Sequence, residues 1–177
     1  MRSTKKAWGR GLVALAVVLG TVAAAVPSSG APTKAGDRLS GKVGGNLPES
    51  FGPWAGDPVR FQIDAQGVPG ATTGTFKAFH GKGTTAEVVG DFEGDITCLI
   101  TAGEVAVATG VVTRGYVNLP GQETKDVTGQ KVSFTVHDNE RSDRSFWMWE
   151  FLGAPINDCQ GTAPIFEPSY GNLQVRD

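Results

Sequence analysis

Apolar residues fall on every second position along much of this chain, and only an extended backbone gathers them on one side. Val59, Phe61 and Ile63 alternate with Arg60, Gln62 and Asp64. Phe76 and Ala78 alternate with Thr75 and Lys77, and Val132, Phe134 and Val136 with Lys131, Ser133, Thr135 and His137. Ile96, Cys98 and Ile100 alternate with Thr97 and Thr101, which places Cys98 on an inward face, although Leu99 breaks the polar side. Period two is the strand period, and one apolar face per strand is the mark of antiparallel pairing. Turn signals separate the runs: Gly67–Gly74, Gly81–Gly83, Glu93-Gly94-Asp95, Ala102-Gly103, Pro120-Gly121 and Gly153–Pro155. The expected fold is all-β, an antiparallel β-sandwich or partly closed barrel of about eight short strands.

The start of the chain follows another rule. Arg2, Lys5, Lys6 and Arg10 precede an uncharged run from Gly11 to Val26, and Pro27, Ser28, Ser29 and Gly30 then break it. That order is the pattern of a cleavable signal peptide, expected as an N-terminal signal helix over residues 1–31 with cleavage after Ala25 or Ala31. The run is shorter than the roughly 18 to 20 apolar residues of a membrane span, so no span is expected after processing. Residues 32–57, with Pro48, Pro53 and Pro58 in or beside them, read as a Gly/Pro-rich entry segment. It holds one short strand near Leu39–Val43 and a loop through Phe51 and Trp54, and residues 58–177 read as the single all-β domain.

Processing also changes the charge. Four of the 16 basic residues precede Ala31 while all 18 acidic residues follow it, so the mature chain carries 12 − 18 = −6. Such a chain has no electrostatic attraction for nucleic acid or for an anionic membrane. Its two cysteines, Cys98 and Cys159, have no third partner and are expected to form one disulfide in an oxidising compartment. The localisation expected is secreted or extracellular, with cell-wall association a variant of it.

The candidate chemistry is sparse. Gly81-Lys82-Gly83-Thr84-Thr85-Ala86 fits G-x-G-x-x-A, but a strand-like run follows where a dinucleotide site needs a helix, so a hairpin loop is expected. His80 and His137 are the only histidines, and neither belongs to a catalytic motif. Asp91, Glu93 and Asp95, on alternate residues at an expected turn, are a candidate calcium group, as are Asp138, Asn139, Glu140 and Asp143. Phe146-Trp147-Met148-Trp149-Glu150-Phe151 is the densest aromatic segment. Trp147, Trp149 and Phe151 would share one strand face, either packed in the core or exposed as a ligand platform, with Trp54 and Phe51 as a cover. No cofactor is expected.

Gly94-Asp95-Ile96-Thr97-Cys98-Leu99, Val105–Val112, Val132–Asn139, Asp143-Arg144 and the closing Gly171-Asn172-Leu173-Gln174-Val175-Arg176 together resemble a family of small secreted actinobacterial β-domain proteins. More loosely they are similar to post-COAP type extracellular domains. The resemblance covers roughly Gly74 to Arg176 and departs from the pattern at Ala102-Gly103-Glu104 and at Glu140. It implies turn and strand structure and carries over no catalytic residue. Asp138-Asn139 then reads as hairpin structure, bonding its local backbone.

The function expected is a non-catalytic extracellular binding or cell-surface module, its ligand a glycan or cell-wall component on the Trp147/Trp149 face. The alternatives are a small hydrolase using His80 or His137 with nearby carboxylates, and a protease inhibitor presenting a loop around Asn157–Pro164.

Overall fold

The computed structural model describes residues 36–139 and 142–177. The expected signal helix, its two cleavage positions and Glu140 lie outside them. The strands are β1 (Asp37–Asn46), β2 (Pro58–Gly67), β3 (Thr73–Gly81), β4 (Val88–Ala102) and β5 (Val105–Val117). They continue with β6 (Lys125–Asp126), β7 (Lys131–His137), β8 (Arg144–Trp149) and β9 (Tyr170–Arg176). All pair antiparallel in one sheet, ordered β8-β7-β5-β4-β3-β2-β1-β9, with β6 beside β5. The alternating runs fall on β2, β3, β4 and β7, as their period requires. The strands are not uniformly short, for β4 has 15 residues and β5 has 13.

The sheet curls into a half-barrel around its apolar face. Phe61 of β2 and Phe134 of β7 are separated by three intervening strands, yet their ring centroids lie 6.0 Å apart. Phe76 of β3 packs on both Phe92 of β4 and Phe134. These rings, with Leu39, Val43, Ile63, Leu99, Val112, Val132 and Leu173, form one buried core.

Of the expected entry segment 32–57, described from Gly36 on, Asp37–Asn46 takes part in the sheet. β1 is bonded along its length to β2 on one side and to β9 on the other, and Leu39 and Val43 are fully buried. The expected strand at Leu39–Val43 is thus the middle of a ten-residue strand that belongs to the barrel.

Two irregularities in β4 correct the pattern read from sequence. Opposite β5, Ile96 pairs with Gly110 and Cys98 with Thr109, so Thr97 is an extra residue. Such a bulge reverses the side on which later residues emerge. Leu99 accordingly enters the core and Ile100 is exposed, while Cys98 turns to the outer surface rather than the inner one. Leu99→Ala is expected to cost about 2 to 5 kcal/mol and Ile100→Ala under about 0.5, a contrast that urea denaturation of the two variants checks. The second correction is at Glu93-Gly94-Asp95, which is mid-strand and not a turn. A Cβ at Gly94 would lie 2.7 Å from the Phe76 ring, so the glycine makes room for a core aromatic.

Chain following the short helical turn Glu150–Leu152 crosses the outside of the sheet as a strap. Cys159 is joined to Cys98, and its N–H donates to Thr109 Oγ1 at 2.9 Å. Ser133 Oγ donates to the Gln160 carbonyl and Thr162 N–H donates to Thr135 Oγ1. Ser133 and Thr135 are the polar side of an alternating strand, yet both are buried, because the strap covers them.

The gap between β8 and β9 is closed without a full ladder. Phe166 and Ser145 exchange two backbone hydrogen bonds of 2.8 Å, and the Phe166 ring is fully buried. Asp143 Oδ2 accepts from Leu173 N–H at 2.7 Å and Asp138 Oδ2 from Val175 N–H at 2.8 Å. Asp138 thus bonds a strand 37 residues away, a correction to its reading as local hairpin structure. A strand edge that would otherwise offer unpaired N–H groups is satisfied by carboxylates.

An apolar cavity at one mouth of the barrel

At the end where β2 begins, β3 and β5 finish and β8 runs out, the core does not fill the barrel. A cavity of about 240 Å³ opens there. Val59 and Phe61 of β2, Ala78 of β3, Phe92 of β4 and Val117 of β5 form its floor and one side. Trp147 and Trp149 of β8, with Phe151 beyond it, form the other. For comparison, an engineered apolar cavity of roughly 150 Å³ admits benzene.

The aromatics that line it brace one another. The Trp147 and Phe61 centroids lie 4.3 Å apart, and Trp149 meets Phe92 edge-on at 5.0 Å. Strand parity puts Trp147 and Trp149 on the side of Phe134 and Val132, their ladder partners. Both are half-buried and packed against the core, so they face into the barrel and form no outward platform. Trp54, from the chain between β1 and β2, also lines the cavity. Among the described residues every tryptophan does so.

Phe51 and Trp54 come from a lid of 3-10 turns at Glu49–Trp54, kinked at Gly52. The lid's base is tied where Leu47 N–H donates to the Asp57 carbonyl at 2.9 Å and Gly56 N–H to the Leu47 carbonyl at 2.8 Å. Phe51 stacks against Trp147 at 5.9 Å, and Trp54 meets the His80 ring edge-on at 5.2 Å.

His80 is the polar group at this mouth. Its Nε2 lies 3.0 Å from Asp57 Oδ2, and Asp57 Oδ1 accepts from Gly83 N–H at 2.7 Å. Gly83 is in the loop between β3 and β4, the hairpin expected at Gly81–Ala86, and its φ of 48° favours glycine. The Asp57 side chain is 4% exposed and the His80 side chain 23%. Burial holds the His80 pKa below its usual 6.5, opposed by the hydrogen bond and charge of Asp57 and aided by the charge of Lys82. Burial and the Lys82 charge thus favour the neutral imidazole.

The other candidate residues sit elsewhere. His137, about half-buried, lies 3.4 Å from exposed Glu104, at the opposite end of β5 from the cavity. His80 lies level with the Val117 end of β5 and His137 beside its Val105 end, so the length of that strand keeps the two histidines apart. Among the described residues neither histidine is hydrogen-bonded to a Ser, Thr or Cys side chain, as a hydrolase pairing would have it. Asp91, Glu93 and Asp95 lie on β4, where Glu93 bridges Lys77 at 3.1 Å and Arg114 at 2.7 Å. Those cations draw the Glu93 pKa down, the hydrogen bond from Lys77 foremost. Among the described residues no group of three His, Cys, Asp or Glu converges as a metal site would require. The Asn157–Pro164 loop lies along the sheet, its backbone engaged at Cys159, Gln160 and Thr162, whereas a bait loop must stand free.

No protein-family model, curated protein or solved structure matches the chain. The site rests on its own geometry.

The cavity was only partly visible in sequence. Phe51 and Trp54 as a cover for Trp147 and Trp149 is an arrangement the aromatic spacing suggested. His80 and Asp57 are 23 residues apart, and no spacing signal connects them.

Proposed function

We propose that this protein is an extracellular, non-catalytic binding protein whose ligand is a small apolar molecule held in the barrel mouth. The observation that carries the reading is a partly open cavity of about 240 Å³ walled by Trp, Phe, Val and Ala side chains. An unfilled space in an otherwise close-packed interior forfeits dispersion contacts, and a ligand of matching shape restores them. The basic-then-apolar start, the disulfide and the acidic mature chain support an extracellular location. A glycan on an aromatic platform is disfavoured, because Trp147 and Trp149 face one another's core neighbours across the barrel.

Titration with N-phenyl-1-naphthylamine, a neutral apolar fluorophore, tests this directly. Saturable enhancement is expected, with a matching change in tryptophan emission because Trp54, Trp147 and Trp149 all line the cavity. Ala78→Phe fills the cavity floor and is expected to weaken binding at least tenfold while far-UV circular dichroism stays unchanged. A linear, unsaturable response, or equal affinity in a folded Ala78→Phe variant, would sink the reading.

A further inference from the structure

Resting on the cavity as a ligand site, we infer that its ligand carries one hydroxyl, which donates its proton to Nδ1 of His80. A carboxylate oxygen only accepts, so the 3.0 Å contact with Asp57 requires that His80 Nε2 carry the ring proton. Neutral imidazole has one N–H, which leaves Nδ1 as a bare acceptor. Nδ1 has no protein partner among the described residues, and it is not one of the sealed, unpartnered polar atoms, Thr101 Oγ1 and Ser145 Oγ. An unpartnered atom that is not sealed is open to solvent or ligand, and His80 lines the cavity.

The tautomer is fixed from behind. Asp57 is itself held by Gly83 N–H on its second oxygen, so it cannot turn away from the ring. The titratable and charged groups facing His80 are Asp57 and Lys82. Lys82 Nζ sits 5.2 Å from the Trp54 ring centroid, engaged with that π-face. The mouth thus offers an apolar chamber with the Nδ1 acceptor of His80 beside it. A hydroxyl satisfies that acceptor, whereas an ether or ketone leaves it unpaired on dehydration. A carboxylate would bring a second negative charge towards buried Asp57.

The test is displacement of N-phenyl-1-naphthylamine by four compounds sharing one ring system: naphthalene, 1-methoxynaphthalene, 1-naphthol and 1-naphthoic acid. 1-Naphthol is expected to bind about tenfold more tightly than 1-methoxynaphthalene, the effect of one hydrogen bond of about 1.4 kcal/mol. Asp57→Asn keeps an acceptor for Gly83 N–H but presents an amide N–H to Nε2. The imidazole proton then moves to Nδ1, which becomes a donor, and the preference for the hydroxyl is expected to vanish or reverse. Imidazole nitrogen chemical shifts read that tautomer change independently of any ligand. His80→Phe, which keeps the ring and loses the acceptor, is expected to bring the two affinities together. An unchanged preference in both variants, or tightest binding by 1-naphthoic acid, overturns the inference. If none of the four binds, the cavity reading itself fails.

Discussion

Removal of the disulfide by Cys98→Ala with Cys159→Ala is expected to lower the unfolding free energy by about 4 kcal/mol. The bond closes a loop across 61 residues of sequence, and the chain entropy withheld from the unfolded state by a loop of that length is about 4 kcal/mol. The same loop contains all of β5, β7 and β8, so the freedom regained on reduction belongs to those strands in the unfolded chain, while the folded barrel keeps its packing around Trp147 and Trp149. Guanidinium denaturation of the oxidised protein and the double variant measures the difference. The cavity is walled by side chains on the inner face, whereas the bond lies on the outer one. A variant that remains folded should therefore bind the apolar fluorophore with wild-type affinity. A loss below about 1 kcal/mol would mean that the strap is held mainly by Ser133, Thr135 and Thr109, not by its covalent tie.

The second large effect is expected at the closing edge. Asp138→Ala with Asp143→Ala strips the acceptors from Leu173 and Val175 N–H, and a hydrogen bond to a charged group contributes about 1.5 to 3 kcal/mol. The pair together should cost on the order of 4 kcal/mol, concentrated in β9. Native-state hydrogen exchange checks this residue by residue: amides of Leu173 and Val175 should lose protection while those of β3 and β4 keep theirs. Asp138→Asn with Asp143→Asn retains a side-chain oxygen at each position and should recover more than half of the loss. Uniform loss of protection across the whole sheet would show that these carboxylates support the fold at large instead of latching one edge.

The relation between sequence and structure differs from one element to the next. Strands β2 and β7 were legible because each keeps one parity from end to end, and β3 because it keeps one until the irregularity at His80/Gly81. β4 was legible as a strand, but its faces were not, since one inserted residue at Thr97 exchanges them. Leu99 recorded that exchange as an apparent fault in the alternation. Ser133 and Thr135 are polar yet buried, because the surface they meet is the backbone of a strap with no periodicity of its own. The candidate site divides in the same way. Its aromatics are clustered in sequence and could be picked out, whereas Asp57 and His80 meet only because β2 and β3 pair in one register, Val59 beside His80. The acidic residues of β4 show the opposite case: their spacing is regular, but Lys77 and Arg114 from the neighbouring strands neutralise the central one.

The pairing of β1 with β9 sets the order in which this barrel can be completed. Arg38 lies opposite Arg176, a separation of 176 − 38 = 138 residues, while most other ladders join neighbours in sequence. The hairpins from β2 to β5 can form early and locally, but the first strand has only one neighbour until the last has been made. Closing so long a loop costs entropy before any contact repays it, and folds rich in such distant contacts reach the native state slowly. During that interval the curled sheet stands open along one side with its aromatic interior wet. The proposed ligand site is thus expected to be enclosed only when β9 arrives, seven residues that do not line the cavity.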